Sequence, residues 1–403
     1  MDPLMSGPVG AGVEPGELAR FYRGVLLDDV MPFWLRHGLD RENGGMLTCL
    51  ERDGTVYDTD KSVWFQGRAG WMFATLHRTV EPRGEWLDAA RSCVEFSLRH
   101  GHRPGDGKMW FTVSREGQPL RMRRYVYSEA FAAISYGAYA GITGDDRVRA
   151  AALAAWETYL RYSFEPGVME PKCESTRPAK GLGALMIGMV TAQELRESVG
   201  EVVVRGRTPS EWITAFAEEI ESDFLKPSEQ ALLETVALDG SVIDHMDGRT
   251  LNPGHAIECA WFLLRESQVR GDVAMRSLGC RILDWMWERG WDQREGGLLY
   301  FTDLRGRPVQ EYWHDMKFWW PHCEAVIATL LAWRLTGEAR YATWHRDVHN
   351  WSFRHFPDAE HGEWFGYLRR DGSVTQTAKG NHFKGPFHLP RMLWYCAQLL
   401  EGA

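Results

Sequence analysis

The chain has 403 residues, of which 44% are hydrophobic and 25% charged, and its net charge is -9. Because Lys and Arg residues are scattered along an acidic chain, the sequence argues against nucleic acid and anionic membrane surfaces as partners, and a small neutral molecule fits better. The composition is ordinary for a globular enzyme except for 19 Trp, 18 Phe and 13 Tyr, most of which we expect in the core.

Seven cysteines are spread along the chain without a CxxC pair. This pattern predicts neither a disulfide framework nor a zinc site, and it favours a reducing, cytoplasmic setting. Residues 1–16 are rich in Gly and Pro and lack the apolar stretch of a signal peptide, so we expect a flexible tail there. No apolar run approaches the length of a membrane span. We predict a single catalytic domain over residues 17–403.

Six helical stretches that are apolar on nearly every side and contain small residues recur along the chain. Amphipathic helices lie between them, for example at 85–100, 146–162 and 210–224, with charged residues on one side. The loose period of 53 to 73 residues predicts six two-helix units whose apolar helices lie inside an outer ring. The six apolar stretches begin near Trp64, Ser128, Gly181, Gly254, Trp320 and Pro386.

The connections at 40–56, 292–309 and 360–374 share a second pattern, and 105–120 is a weaker copy. Each has alternating apolar residues, a charged turn that contains Gly, and a polar or β-branched return, which predicts a short β-hairpin. Six helix pairs with hairpins at one mouth predict an all-α (α/α)6 barrel. The alternative is an open solenoid, in which the polar starts of the inner helices would lie along a groove instead of converging.

In a barrel, the first turns of the six inner helices face one funnel, and here these turns carry many polar residues. A buried charge without a partner costs several kcal/mol, so their presence on apolar helices indicates catalysis or binding. The residues are Gln66, Arg68, Tyr127, Ser128, Glu129, Lys180, His255, Glu258, His322, Glu324, His388 and Arg391.

Two histidines are the predicted proton-transfer groups. His255 and Glu258 are three residues apart, as are His388 and Arg391, so each pair shares one helix face. A carboxylate beside an imidazole can fix its tautomer, and an arginine offers a fixed fork of donors to substrate oxygens. With an ordinary pKa near 6.5, histidine takes and returns a proton near neutrality.

The other predicted substrate ligands are Arg68, His322 and Glu324. His322 and Glu324 are two residues apart and cannot share a helix face, so we expect one to reach the cavity and the other to support it. Since His255 and Glu258 alone supply too few ligands, no metal site is predicted. The glycine-rich stretch 181–188 has no preceding strand, which favours close helix packing over a phosphate loop.

The chain resembles the N-acylglucosamine 2-epimerase family over nearly its whole length, from about Phe21 to Leu400. Any one of the shared motifs would be a weak signal alone, whereas five in order are specific. They are KSVWFQGR at 61–68, TRPAK at 176–180, NPGHAIE at 252–258, WWPHCE at 319–324 and FKGPFHLPR at 383–391.

The resemblance implies an (α/α)6 barrel that interconverts sugars at C2 without a metal or redox cofactor. It implies that His255 and His388 are the two acid/base groups. One removes the C2 proton of the open-chain sugar to give an enediolate, and the other returns a proton to the opposite face. It further implies that Arg68, Glu258, Glu324 and Arg391 hold the sugar and stabilise the enediolate.

The family also contains cellobiose 2-epimerases and aldose-ketose isomerases of the mannose type. The segment 384–391 is more similar to the N-acylglucosamine branch, although Pro386 stands where that branch often has Cys. An N-acylated hexosamine, a free hexose and a disaccharide therefore remain alternative substrates. An isomerase needs only one base, because the proton returns to C1 on the same face.

Two further interpretations stay open. An inverting glycoside hydrolase could use Glu258 and Glu324 as its carboxylate pair, which would leave the two histidines without a central task. A protein-binding role is also known in the family, as a renin-binding protein. Members are often homodimers and some are activated by nucleotides, but no residue of this chain identifies either property.

Overall fold

A computed structural model of the chain describes residues 14–402. Within this range the chain alternates between an outer and an inner ring of helices. The outer ring contains α1 (Pro15–Gly24), α2 (Met31–His37), α4 (Gly84–Phe96), α6 (Asp146–Phe164), α8 (Pro209–Glu219), α11 (Val273–Gly290) and α13 (Ala339–His355). The inner ring contains α3 (Val63–Thr79), α5 (Tyr127–Thr143), α7 (Leu182–Val199), α10 (Pro253–Arg270), α12 (Trp319–Thr336) and α14 (His388–Glu401), and a short α9 (Met246–Arg249) precedes α10.

Several outer helices change pitch along their length. A π-helical turn, Val25–Val30, joins α1 to α2 into one outer helix, and π-helical turns extend α4 through Ser97–Gly101 and α8 through Ile220–Phe224. With α1 and α2 counted as one, six outer and six inner helices make an (α/α)6 barrel. The predicted fold is confirmed, and every inner helix begins within two residues of its predicted start.

The inner helices are buried on nearly every side. In α12, every residue from Trp319 to Ala332 is buried, as the apolar pattern of that stretch predicts. Local signals fix the helix ends. The side chains of Ser62 and Asn252 accept hydrogen bonds from the first turns of α3 and α10. Glycine in the left-handed conformation ends α5, α10 and α12.

Short strands decorate the mouth at which the inner helices begin. Three of the predicted hairpins are present: β1 (Cys49–Leu50) pairs with β2 (Val56–Asp58), and β4 (Thr112–Val113) pairs with β5 (Pro119–Arg121). In the third, at 360–374, an antiparallel bridge joins Leu368 to Val374. In the C-terminal half of the barrel, β7 (Leu225–Lys226) also pairs with β8 (Ala231–Leu232), in a connection where no hairpin was predicted.

The prediction of a local hairpin at 292–309 was wrong, because its strand pairs with a different segment. Each of four strands that lie directly before an inner helix pairs with the connection of the next repeat. The backbone groups of both strands are thereby satisfied, and neighbouring repeats are joined across the mouth. The pairs are β3 (Lys61–Ser62) with β4, β6 (Ala179–Gly181) with β9 (Thr235–Ala237), β10 (Thr250–Leu251) with β11 (Thr302–Asp303), and β12 (Lys317–Phe318) with β13 (Tyr367–Leu368).

Three buried clusters, each of one aspartate, one lysine and one arginine, hold these connections in place. Lys61 Nζ lies 2.8 Å from an Asp40 carboxylate oxygen that also binds Arg115. The same arrangement recurs twice within the described residues. The three clusters are Asp40, Lys61 and Arg115; Asp292, Lys317 and Arg370; and Asp358, Lys379 and Arg52.

The ring closes where its first and last repeats meet. The Leu50 backbone N–H donates to the Gly380 carbonyl at 3.2 Å, and α1 packs against α14. Of the predicted tail 1–16, residues 1–13 lie outside the described range, while Pro15 and Gly16 already belong to α1. No helix between residues 14 and 402 has both the length and the apolar character that crossing a bilayer requires.

Candidate active site

A cavity of about 460 Å³ opens at the mouth where the inner helices begin. Five of the predicted site residues line it, namely Arg68, His255, Glu258, His388 and Arg391. On another side α7 contributes an apolar wall of Gly183, Met186, Ile187 and Val190. Aromatic rings complete the lining, including Trp64, Tyr127, Phe131, Tyr300, Trp320 and Tyr367.

His255 lies in the first turn of α10, where Asn252 caps the helix by accepting from the His255 backbone N–H at 3.1 Å. Its Nδ1 faces both carboxylate oxygens of Glu234, at 3.1 and 3.2 Å. This contact places the Nδ1 proton between the imidazole and the carboxylate. One third of the His255 side chain is exposed, toward the cavity that it lines.

His388 is the first residue of α14 and is held by a different carboxylate. Its Nδ1 lies 2.6 Å from Oε1 of Glu324, which is fully buried. With Nδ1–H donating to Glu324, the lone pair of Nε2 is left without a hydrogen-bond partner among the described residues. Trp320 lies between the two histidines, with its ring centroid 5.1 Å from that of His255 and 5.8 Å from that of His388.

Arg391 joins the two carboxylates that come from α10 and α12. Its Nη2 donates to Glu258 at 2.6 Å and to Glu324 at 2.7 Å, and all three side chains are nearly inaccessible. Glu324 also accepts from Trp261 Nε1 at 2.7 Å and does not line the cavity. Glu324 therefore supports His388 and Arg391 from behind, and Glu258 and Arg391 face the cavity.

The same carboxylates form the one group that could hold a metal ion among the described residues. Ligand atoms of Glu258, Glu324 and His388 lie within 4.8 Å of one another. The Arg391 guanidinium already donates to both carboxylates there, so a cation would compete with a fixed positive charge. The donor set fits an arginine better than a metal.

Arg68 enters the cavity from α3 between aromatic rings. Its guanidinium carbon lies 4.4 Å from the Trp64 ring centroid, 4.3 Å from that of Phe131 and 4.8 Å from that of Phe387. Within the described residues its one hydrogen bond is to the Phe383 carbonyl at 3.4 Å, and no carboxylate pairs with it. Burial lowers the pKa of Arg68 to about 9, so the group stays charged at neutral pH with donors free for a ligand.

The pKa values of the two histidines are shifted in opposite directions. Burial disfavours a charged His255, but the Glu234 carboxylate outweighs burial and raises the pKa of His255 above its ordinary value of 6.5. Burial, reinforced by the positive charges of Arg68 and Arg391, lowers the pKa of His388 well below that value. His255 therefore holds a proton more readily than His388, and environments that shift two pKa values apart in this way distinguish an acid from a base.

His322 does not reach the cavity, and the expectation that it binds substrate has no support in this geometry. Its Nδ1–H donates to the Phe318 carbonyl at 2.6 Å, and its Nε2 accepts from the Leu298 N–H at 2.9 Å. The ring is fully buried and stacks on Trp351. Burial lowers the pKa of His322 to about 3, so this imidazole is a neutral structural link.

Three other polar residues of the predicted mouth set also serve the connections. Gln66 binds the Met46 N–H and carbonyl at 2.7 and 2.9 Å, and Glu129 accepts from the Met109 N–H at 2.6 Å. Lys180 pairs with Glu219 and Asp223. Gln66 and Glu129 thus join an inner helix to its connection, and Lys180 joins β6 to the outer helix α8 and its π-helical extension.

Sequence reasoning missed Glu234 and the position of Trp320. Glu234 lies in the turn between β8 and β9, 21 residues before His255, and no periodicity relates the two. A lone carboxylate next to buried Leu233 and Val236 was the available signal. Trp320 was recognised as part of a helix start, but its place between two histidines depends on the closure of the barrel.

Comparisons with known proteins agree with this geometry. A sequence model of the N-acylglucosamine 2-epimerase (GlcNAc 2-epimerase) family matches residues 45–385. The N-acylglucosamine 2-epimerase of Bos taurus is 38% identical over 383 residues, covering 93% of this chain and 90% of the relative. The Homo sapiens N-acylglucosamine 2-epimerase is 36% identical over 385 residues, covering 94% and 89%.

A solved structure shares the fold at low sequence identity. Cellobiose 2-epimerase from Bacillus thermoamylovorans B4167 superposes with a TM-score of 0.82 at 18% identity, covering 96% of this chain and all of the other. The family model covers most of the chain and the mammalian relatives exceed one third identity, so the resemblance found in the motifs is confirmed. The chain belongs to the N-acylglucosamine 2-epimerase family and is a carbohydrate epimerase.

Proposed function

We propose that this enzyme interconverts an N-acyl-D-glucosamine and the corresponding N-acyl-D-mannosamine at C2. The observation that carries the proposal is a pair of imidazoles, His255 and His388, that line one cavity and have opposite proton affinities. Inversion at a carbon needs an acid and a base on opposite faces of the same substrate. One protonated and one neutral histidine supply both groups at neutral pH.

The reaction starts from the open-chain sugar, in which the C1 aldehyde acidifies the C2 hydrogen. Neutral His388 takes the C2 proton at Nε2, and the electron pair moves into the C1 carbonyl to give an enolate. Arg68, whose donors lack a carboxylate partner, stabilises the developing negative charge. His255 then delivers its Nε2 proton to the other face of C2, and the reverse reaction exchanges the two roles.

The apolar wall that α7 contributes to the cavity supports this substrate class. Gly183, Met186, Ile187 and Val190 of α7 offer no hydrogen-bonding side chain to a sugar hydroxyl. An N-acyl methyl group next to C2 loses little by lying there, whereas a free C2 hydroxyl would be left unsatisfied. The N-acylglucosamine 2-epimerases of cattle and humans, which are similar over nearly the full chain, support the same choice.

The alternatives differ in their products. An aldose-ketose isomerase of the mannose type would use one histidine and return the proton to C1, whereas a cellobiose 2-epimerase would invert C2 of a disaccharide. Inverting hydrolysis needs two carboxylates about 6.5 to 9.5 Å apart with water between them. Glu258 and Glu324 are instead bridged by one arginine nitrogen, and Glu324 lies outside the cavity lining.

Proton NMR in deuterium oxide tests the proposal directly. The enzyme is incubated separately with N-acetylglucosamine, N-acetylmannosamine, glucose, mannose, fructose and cellobiose, and the C2 proton signal and the products are followed. We expect loss of the C2 signal and formation of the epimer with the two N-acetylated sugars, and at most slow turnover of the others. A His255→Asn, His388→Asn double variant controls for contaminating activity. Exchange with none of the sugars would overturn the proposal.

We also propose that the enzyme works in a reducing cytoplasm, since all seven cysteines are free thiols. The homodimer and the nucleotide activation that the family resemblance implies stay predictions. Light scattering of the purified chain gives its mass in solution, and assays with and without ATP measure activation. A monomer, or rates that ATP leaves unchanged, would contradict them.

A further inference from the structure

We infer that Glu234 decides which of the two histidines holds the proton in the resting enzyme, an inference that rests on the proposed function. Both carboxylate oxygens of Glu234 lie within 3.2 Å of Nδ1 of His255. Among the described residues His255 is its only ion-pair partner. The full negative charge of Glu234 therefore acts on one imidazole.

The carboxylate that holds the other histidine is arranged differently. Glu324 contacts His388 but also accepts from Arg391 and from Trp261. Its charge is shared with a guanidinium, so less of it favours a protonated His388. The two histidines of one cavity are thus each held by a carboxylate from outside its lining, and only the Glu324 carboxylate is neutralised by an arginine.

Glu234 is accessible to water. A second cavity of about 640 Å³ lies beside the first, and Glu234 is part of its lining. The Glu234 side chain is 27% exposed, whereas that of Glu324 is fully buried. Two lysines line this second cavity, and neither pairs with Glu234: Lys180 binds Glu219 and Asp223, and Lys172 lies over the Tyr125 ring. Glu234 is thus a hydrated carboxylate whose only ion-pair partner among the described residues is His255.

The remaining charged and titratable groups around His255 do not replace this carboxylate. Glu258, on the same helix, favours the protonated form but is bound to Arg391. Arg68 from α3 and His388 from α14 oppose it. Tyr127 and Tyr300, which lie near Glu234, are neutral phenols because burial raises the pKa of both. Glu234 is therefore the one full, unshared negative charge facing this imidazole.

Removing the charge has a specific chemical consequence. With a neutral residue at position 234, both histidines are neutral near pH 7.5. His388 can still take the C2 proton, and solvent can exchange it, but no acid faces the opposite side of the enolate. The carbon is then reprotonated by His388 on its original face. Glu234 acts through His255 and is therefore a positioning residue. Its loss should stop inversion at C2 while hydrogen exchange at C2 continues.

The test compares Glu234→Gln with wild type in deuterium oxide, using the N-acetylated sugars and following exchange and inversion at C2 between pH 6 and 9. We expect the ratio of exchange to inversion at pH 7.5 to rise at least tenfold. We also expect the alkaline limb of inversion to move to lower pH by at least one unit. Glu234→Asp keeps the charge and should restore most of the inversion. Glu229→Gln is the matched control, because Glu229 lies in the same segment but pairs with Arg305.

A second readout needs no turnover. Nitrogen-15 NMR of histidine-labelled enzyme follows the titration of His255, assigned by comparison with His255→Asn. We expect the pKa of His255 to fall in Glu234→Gln and to stay unchanged in Glu229→Gln. An unchanged His255 titration together with an unchanged ratio of exchange to inversion would overturn the inference and leave the proposed function intact. If the wild-type enzyme exchanges no sugar, the proposed function fails. The NMR titration of His255 still tests whether Glu234 keeps the proton on that histidine.

Discussion

Buried charged residues occur in two regions at the same mouth of the barrel. They are paired in the connections and partly unpaired in the cavity. In the three aspartate clusters of the connections, each carboxylate binds both a lysine and an arginine. In the cavity, Arg68 lacks a carboxylate, and Nε2 of His255 and of His388 has no bond among the described residues. Polar atoms that the protein leaves unsatisfied distinguish a functional site from a structural one.

The Asp292 cluster shows how a carboxylate behaves when all of its hydrogen bonds and its charge are paired. Burial favours the neutral carboxyl, but hydrogen bonds from Arg370 at 2.7 Å and Lys317 at 3.0 Å outweigh it and hold the pKa of Asp292 well below its ordinary value. The Arg294 N–H adds a further bond at 3.1 Å. The charge of the Asp292 carboxylate is thus fully paired inside the cluster.

The largest effect should come from the unsatisfied histidines. His388→Asn and His255→Asn should each lower kcat for epimerisation on the order of 10²–10⁴-fold, because each removes a proton-transfer group. Deuterium exchange at C2 should survive for one epimer in each variant, and for opposite epimers in the two. NMR of both variants with both N-acetylated sugars measures this. Melting temperatures close to wild type would confirm that these imidazoles do not hold the fold together.

Full epimerisation by either variant would contradict the distinction between the unpaired groups of the cavity and the paired groups of the connections. It would mean that an unsatisfied cavity histidine is dispensable for the reaction.

The aspartate clusters should respond in the opposite way. Asp292→Asn leaves fully buried Lys317 without its counter-charge, which we expect to cost about 3 to 5 kcal/mol in the free energy of unfolding. Urea denaturation measures this loss. The kcat of the folded variant at low temperature should stay within about twofold of wild type. A large loss of kcat in a variant of unchanged stability would show that the cluster belongs to the site.

Acid should destabilise the fold through its neutral histidines. Burial lowers the pKa of His322 and His349 to about 3 and of His345 to about 4, and it lowers that of His388 as well. Below pH 6.5 the unfolded chain binds protons that the folded chain does not. Each such histidine therefore lowers the free energy of unfolding by about 1.4 kcal/mol per pH unit as the pH falls toward its folded pKa. His255, with a raised pKa, has the opposite sign: its contribution is complete below pH 6.5 and is lost as the pH rises through its folded pKa.

Urea denaturation at pH 7.0, 6.0 and 5.0 checks this prediction, because the carboxylates with lowered pKa values contribute mainly below pH 4. A free energy of unfolding that stays level between pH 6.5 and 5 would contradict it.

The smallest effect should come from His322, although it lies two residues from Glu324. His322→Gln should change kcat by less than about twofold and stability by less than about 1.5 kcal/mol. A glutamine already serves this purpose elsewhere in the chain. Gln66 occupies the matching position in the first repeat and, like His322, accepts a hydrogen bond from a backbone N–H of its connection. The variant should also show a shallower dependence of stability on pH between 6.5 and 5. Loss of epimerisation by a stable His322→Gln would restore His322 to the site.

The inner helices and the cavity histidines could be predicted because local signals specify them. Each inner helix is an apolar run after a loop, and His255 and His388 lie at helix starts, whose direction the barrel fixes. The rotation of a helix about its own axis is set by packing against its neighbours. Sequence therefore could not decide between His322 and Glu324, which turn out to lie behind the cavity in different ways.

Contacts between repeats were the part that sequence could not provide. Glu234 meets His255 only because β9 pairs with β6 and places its connection over the start of α10. In the same way, the strand at 302–303 completes the sheet of an earlier segment instead of its own hairpin. Such pairings depend on three-dimensional closure and have no periodic signature along the chain.

The contacts that close the ring bear on the order in which its repeats can be connected. Hydrogen bonds join Leu50 to Gly380, Arg52 binds Asp358, and Arg23 lies 3.7 Å from Glu401. The contacts across this joint are of the same kind as those between any two neighbouring repeats. The first and last repeats are thus joined by noncovalent contacts like those between the other repeats. A circular permutant that links the two ends and opens the turn at Gly271, between α10 and α11, would keep every packing contact described above.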